Sequence, residues 1–178
     1  MRSPLILSVA VFWCLAVSAQ AGEASYRLTN ANTKIEFTGT KPGGKHDGGF
    51  KRVSGMIVLA DGVEPQVDVE IDCSALYSDN FMLTWHLKGA DFFNVKKHPK
   101  ARFTSTSVRR SETEYVVAGN LTFLGVTMPV SFPATMTAGD VIRLQGTCVL
   151  NRHDFGMTYG KDKIHDNVEV RFDVNAAR

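Results

Sequence analysis

The stretch Ile71-Asp-Cys-Ser-Ala-Leu-Tyr-Ser-Asp-Asn-Phe-Met-Leu-Thr-Trp-His-Leu-Lys-Gly-Ala-Asp-Phe-Phe-Asn-Val-Lys-Lys-His-Pro99 changes period part-way along. It begins as the end of a strand, with Val67, Val69, Ile71 and Cys73 alternating against Asp68, Glu70 and Asp72. That is the pattern of a half-buried strand with one wet face. From Asp79 to Lys88, Phe81, Met82, Trp85 and Leu87 recur at helical spacing. Ser78 or Asp79 is placed to cap free N–H groups, and Gly89 stands where helices commonly stop. Phe92 and Phe93 follow as a bulky packing anchor. His98-Pro99 reads as a turn, since the residue before proline is held out of the helical region. A single helix among strands covers a barrel end or a sheet edge.

Outward from this segment the period of two dominates. Ile35 and Phe37 alternate with Lys34, Glu36 and Thr38. Tyr115, Val117, Gly119, Leu121 and Phe123 share one face, as do Val126, Met128, Val130, Phe132 and Ala134. Val168, Val170, Phe172 and Val174 alternate with Glu169, Arg171 and Asp173. Pro42-Gly43-Gly44, Asp61-Gly62 and Thr137-Ala138-Gly139-Asp140 punctuate the strands. Gly43 to Gly49 reads as a mobile rim loop. Short strands with turn signals and no crossover helices predict an all-β antiparallel sandwich or barrel, here of eight strands.

The N-terminus has the form of a secretory signal over 1–21: Arg2, an apolar run from Leu5 to Val17, then Ala19-Gln20-Ala21 for cleavage. Removing it leaves 157 of the 178 residues, enough for one domain over 22–178. The remaining chain would carry 19 basic and 18 acidic residues, interspersed, which gives no footprint for nucleic acid. Location in the periplasm or outside the cell is expected. There Cys73 and Cys148 admit one disulfide, or else remain two inert thiols on the apolar side of their strands.

Three blocks carry a family resemblance: the Ile71–Pro99 segment, Gly119-Asn-Leu-Thr-Phe-Leu-Gly-Val-Thr-Met-Pro-Val130, and Asn151-Arg-His-Asp-Phe-Gly-Met157. In this order, from about Tyr26 to Val174, the chain resembles the YceI-like family. The resemblance implies an exported, lipocalin-like eight-stranded barrel with a tunnel for a polyisoprenoid. It also implies a candidate ligand lining of Phe37, Val69, Ile71, Phe81, Trp85, His86, Phe92, Phe103, Leu121, Phe123, Met128, Arg152, Asp154, Phe155 and Phe172. No covalent cofactor is expected. The partner would be a long-chain isoprenoid, a quinone-type lipid, or a fatty acid or amide. Transient contact with a membrane or membrane redox protein, and a homodimer, fit the family as well. The glycine-rich spacing at 43–49 and Trp85 depart from many relatives.

The residues themselves leave the interior open to two readings. An eight-stranded barrel is wide enough to hold one small ligand or to be filled by side chains. Ten of the eleven phenylalanines and five of the six methionines lie beyond the expected signal and offer an adaptable apolar wall. Arg152 and Asp154, two apart on a strand, could pair, or Arg152 could hold a phosphate or quinone head group. A solid-core accessory protein of a membrane redox system is the main alternative. An enzyme using His153 and Asp154 is a lesser one, because neighbours on a strand face opposite ways. The five histidines are scattered without metal-ligand spacing.

Overall fold

The computed structural model describes residues 22–60 and 64–178. The secretory signal expected over 1–21 and the turn expected at Asp61-Gly62 lie outside the described residues. One antiparallel sheet curls around the core. Its strands are β1 (Glu23–Thr29), β2 (Thr33–Lys41), β3 (Gly44–Phe50), β4 (Val53–Ala60), β5 (Gln66–Asp72), β6 (Leu76–Ser78), β7 (Lys100–Arg110), β8 (Tyr115–Phe123), β9 (Val126–Thr137), β10 (Val141–Asn151) and β11 (Asn167–Ala177). The helix α1 (Phe81–Leu87) follows β6. Strand order is β1-β4-β5-β7-β8-β9-β10-β11-β2-β3-β6.

Eleven strands replace the eight expected. Interruptions account for the excess. β1 and β2 lie end to end along the continuous segment formed by β3 and β4, with Thr29 opposite Ser54 and Glu36 opposite Gly49. β5 and β6 lie along the same segment from the other side, with Val53 opposite Ile71 and Phe50 opposite Leu76. Each of these three pairs is split where the sheet bends, because a strongly curled sheet concentrates its bend in breaks and bulges. The break between β5 and β6 is a 3₁₀ turn at Cys73–Ala75, capped by Asp72, whose carboxylate accepts from the Ser74 N–H at 2.9 Å. Taken as one ribbon each, the three pairs reduce eleven strands to eight ribbons, and β11 pairs with β2.

The glycine-rich stretch is not a rim loop: Gly44–Phe50 is strand β3, hydrogen-bonded to β2 and β6. Gly48 lies directly opposite Phe37, and a Cβ there would collide with the Phe37 ring and the Tyr77 carbonyl. Glycine at that place lets a large ring fold flat onto the neighbouring strand. Gly146 does the same beneath Phe172, its register partner on β10–β11.

The helix is shorter than predicted, and Asn80 caps it, its side-chain oxygen accepting from the Leu83 N–H at 3.0 Å. Leu83 and Leu87 turn inward, and Phe81 and Trp85 are left 86% and 77% exposed. Of the predicted apolar face, Phe81, Met82 and Trp85 are thus outside while Leu87 is buried. The helix has apolar residues on two sides, and packing of Leu83 and Leu87 on the second cluster fixes which side is inward.

Two apolar clusters stack along the strands. The first gathers Leu28, Ile57, Phe103, Val117, Ile142 and Leu144. The second, under α1, gathers Phe37, Cys73, Leu76, Leu87, Phe92 and Phe93. Each fully buried side chain of this size contributes ~1.5–3 kcal/mol. Cys73 and Cys148 are both buried and free, the second of the two outcomes the sequence leaves open. Burial pushes the Cys73 thiol up to about 12 and the Cys148 thiol up to about 11.

Candidate functional site

Inside the first cluster lies an apolar chamber of about 110 Å³, walled by strands all round the sheet. Leu28, Ile35, Val67, Val69, Ile71, Phe103, Val117, Leu121, Val130, Phe132, Leu144, Cys148, Leu150, Val170, Phe172 and Val174 line it. Thr33 is the one hydroxyl in the wall, and it donates to Asn32 Oδ1 at 3.0 Å. A wall without free hydrogen-bonding groups suits hydrocarbon, since a buried polar ligand atom would go unpaired. Phe103 and Phe172 flank Phe132, with ring centroids 5.5 and 5.1 Å away.

A second hollow, the vestibule, of about 600 Å³, opens under α1 and the 157–166 loop. The two are in series. On β2, Ile35 faces the chamber while Phe37 faces the vestibule; on β11, Val170 and Val168 divide in the same way. Between them stands a layer of rings in which Phe37, Phe50 and Phe93 meet at 5.8–6.0 Å and Phe93 touches Phe123 at 5.2 Å.

The vestibule wall joins rings to cations. His86 meets Phe92 and Tyr159 edge-on at 5.0 and 5.3 Å, and its Nε2 lies 3.3 Å from Asp91 Oδ2. Lys41, Lys161 and Lys163 border the opening with their side chains exposed. The residues that line the vestibule include these cations and no carboxylate.

Arg152 belongs to this wall but is not free to meet a ligand. Its side chain is 3% exposed and donates to the carbonyls of Met157 (2.8 Å), Tyr159 (2.7 Å), Ile164 (3.1 Å) and His165 (3.2 Å). Its charge is met by Asp166 at 3.4 Å, not by Asp154. Residues 152–155 form a 3₁₀ turn rather than a strand, which removes the same-side geometry expected of Arg152 and Asp154. Arg152 therefore pins the 157–166 loop that carries Tyr159, Lys161 and Lys163. His153 Nε2 likewise approaches Asp166, at 3.3 Å.

Of the sequence candidates, Val69, Ile71, Phe103, Leu121 and Phe172 line the chamber. Phe37, His86, Phe92 and Arg152 line the vestibule. Phe123 and Phe155 line neither; they pack on each other at 5.6 Å. Met128 and Asp154 border a separate hollow outside the chamber, and Phe81 and Trp85 face solvent. Strand parity would have found Ile35, Val117, Val130, Phe132, Val170 and Val174. No periodic signal marks Tyr159, Lys161, Lys163 or Ile164, which sit on a loop. Among the described residues no three His, Cys, Asp or Glu side chains gather as a metal site, and no helix is long and apolar enough to cross a membrane.

A curled antiparallel sheet enclosing an apolar chamber, with one hollow before it, defines a β protein organised around its interior. Residues 26–176 match the YceI-like domain, and the chain belongs to the YceI-like family. A UPF0312 protein of Pseudomonas putida (strain GB-1) is 35% identical over 121 residues, covering 62% of each chain. One from Pectobacterium atrosepticum is 34% identical over 122 residues, covering 64% of this chain and 62% of its own. The chain thus spans somewhat under two thirds of these relatives' length. BcnA of Burkholderia cenocepacia shares the fold with a TM-score of 0.77 at 22% identity, over 83% of this chain and 98% of that one. A polyisoprenoid binding domain from Saccharophagus degradans superposes with a TM-score of 0.68 at 14% identity, over 88% and 99%.

Proposed function

We propose that the protein is an exported lipid-binding barrel, released by cleavage near Ala21, that holds a long apolar chain for transport, storage or sequestration. The tail lies in the chamber and the head group in the vestibule. The chain would be a polyisoprenoid, an isoprenoid quinone or a fatty acid or amide. The observation that carries this reading is the serial arrangement: a wholly greasy inner chamber, a ring layer, then a wider mouth with polar and cationic groups. The Saccharophagus neighbour, described as polyisoprenoid binding, supports the same ligand class.

Each buried methylene contributes ~0.8 kcal/mol, so one five-carbon unit contributes roughly 4 kcal/mol. A few units then outweigh an association cost of about 4–15 kcal/mol. At about 110 Å³ the chamber admits only a small hydrocarbon segment in this conformation. A longer tail requires Phe37 and Phe93 to part, and their ring contact is the gate. Native mass spectrometry and solvent extraction of the purified protein test the reading: a stoichiometric prenyl or acyl lipid is expected. Protein that carries none, and that takes up no C20 prenyl alcohol, sinks it. The chamber's small volume favours one second reading under that outcome, a solid-cored accessory protein of a membrane redox system.

A further inference from the structure

The outward face of α1 is covered by nothing among the described residues. Phe81 is 86%, Met82 79% and Trp85 77% exposed, at i, i+1 and i+4 on one side of the helix. Large side chains exposed together, rather than singly, mark a surface that meets something. The opposite side of the same helix supplies Leu83, His86 and Leu87 to the vestibule. So α1 is a lip, with the opening on one side and unpartnered apolar rings on the other. Lys41, Lys161 and Lys163 border that opening, Lys88 ends the helix, and Lys96 and Lys97 follow it. None of these six forms an ion pair among the described residues. Asp79 and Asp91 lie 3.1 and 3.3 Å from His46 and His86, and exposed Asp162 falls between Lys161 and Lys163, so six lysines stand against three carboxylates on these segments.

We propose that this lip docks on the surface of an anionic lipid bilayer, Phe81, Met82 and Trp85 entering the interface while the lysines lie over acidic head groups. Aromatic side chains with a polar edge settle at that depth, and apolar insertion combined with basic residues is how a short helix holds a membrane surface. The charge argues against a second copy as the occupant, because a two-fold contact would set the same lysines face to face. The proposal rests on the lipid-binding reading: a chain leaving the bilayer beside α1 would reach the vestibule without crossing water.

The test uses protein as recovered from cells and vesicles of phosphatidylcholine with or without about one third phosphatidylglycerol. Flotation with the acidic vesicles, weakened by salt, is expected. So is a blue shift in the fluorescence component that Trp85→Ser removes. The F81S/M82S/W85S variant, altered only at exposed positions, should partition roughly tenfold less and load geranylgeraniol more slowly from vesicles, yet equally from cyclodextrin. Equal partitioning of the variant, or indifference to phosphatidylglycerol, overturns docking. So does a wild-type dimer, by sedimentation velocity, that the triple substitution dissociates. Failure of the wild type to load from cyclodextrin strikes the carrier reading instead, while flotation reports on the docking by itself.

Discussion

The chamber and the vestibule are built by different means. The chamber is made of strand positions that repeat every second residue, so β2, β5, β8, β9 and β11 each send an apolar side chain into it in turn. The vestibule is made of a short helix, a loop over 157–166 and one buried guanidinium that holds that loop. The first is enforced many times over by a sheet, and loss of one side chain leaves its shape intact. The second depends on a few unrepeated contacts. On the proposed reading, the tail site is generic and the head-group site can change by changing a loop.

The sharpest way to break that contrast is Arg152→Met. It removes every donor to four carbonyls and leaves them facing a thioether. Unpartnered buried polar groups cost several kcal/mol, and about 3–5 kcal/mol is expected here by denaturant unfolding. Hydrogen exchange should localise the loss, with amides of 157–166 exchanging faster and those of β8 and β9 retaining protection. Uniform deprotection would mean the two regions are not separable.

Filling the chamber is the converse. Val130 is half-buried on the chamber wall. Val130→Trp should lower affinity for a C20 prenyl alcohol by roughly 100-fold, while overpacking costs about 1–3 kcal/mol of stability. Titration of the extracted protein measures both. Unchanged affinity would place the tail elsewhere than in the chamber.

One thiol marks each region, since Cys148 faces the chamber and Cys73 sits in the cluster under α1. Burial raises both, and the nearby Asp72 charge raises Cys73 further. A group whose folded value is raised stabilises the fold below its unfolded value, and that contribution is lost as pH rises towards the folded one. For Cys73 the window runs from its ordinary value of 9.0 to about 12, with a slope of up to ~1.4 kcal/mol per pH unit. Cys73→Ala should flatten the alkaline limb of the stability curve, and native protein should react slowly with Ellman's reagent at pH 8. Fast reaction of Cys148 alone would show that the chamber opens more readily than the α1 cluster.

Legibility in the sequence followed the same division. Parity put Val69, Ile71, Leu121 and Phe172 on the apolar side of their strands, where they line the chamber, because a one-residue slip would turn every side chain to the other face. It could not count strands, since the turn at Cys73–Ala75 and the gap at Lys51–Arg52 leave the apolar alternation nearly unbroken. Glycines misled at 43–49, where they serve ring packing rather than a turn. Around the mouth there was no period to read. The rotation of α1 hangs on which of its two apolar sides meets the second cluster, and Arg152 answers to carbonyls that any residue could supply. A motif of Arg and Asp two apart carries a pairing only if the backbone is a strand, and there it is a 3₁₀ turn.

The mildest change tests whether the vestibule reads head groups at all. Lys161 and Lys163 lie on the loop that Arg152 pins, both exposed, so their charges act through water and are screened by salt. Exposed ion pairs contribute about 0.2–1 kcal/mol each, which corresponds to a roughly 1.4-fold to fivefold change in affinity per lysine. Lys161→Gln and Lys163→Gln should each weaken binding of a prenyl phosphate by that factor at low salt. Binding of the matching prenyl alcohol should not change, because it carries no charge for the lysines to meet. The difference between the two ligands should shrink as salt is raised. Equal losses for phosphate and alcohol would mean that the lysines act by holding the loop, as Arg152 does, and not by meeting charge. Combining the two substitutions separates these cases further: independent charges at the mouth add, whereas two supports of one loop fall together.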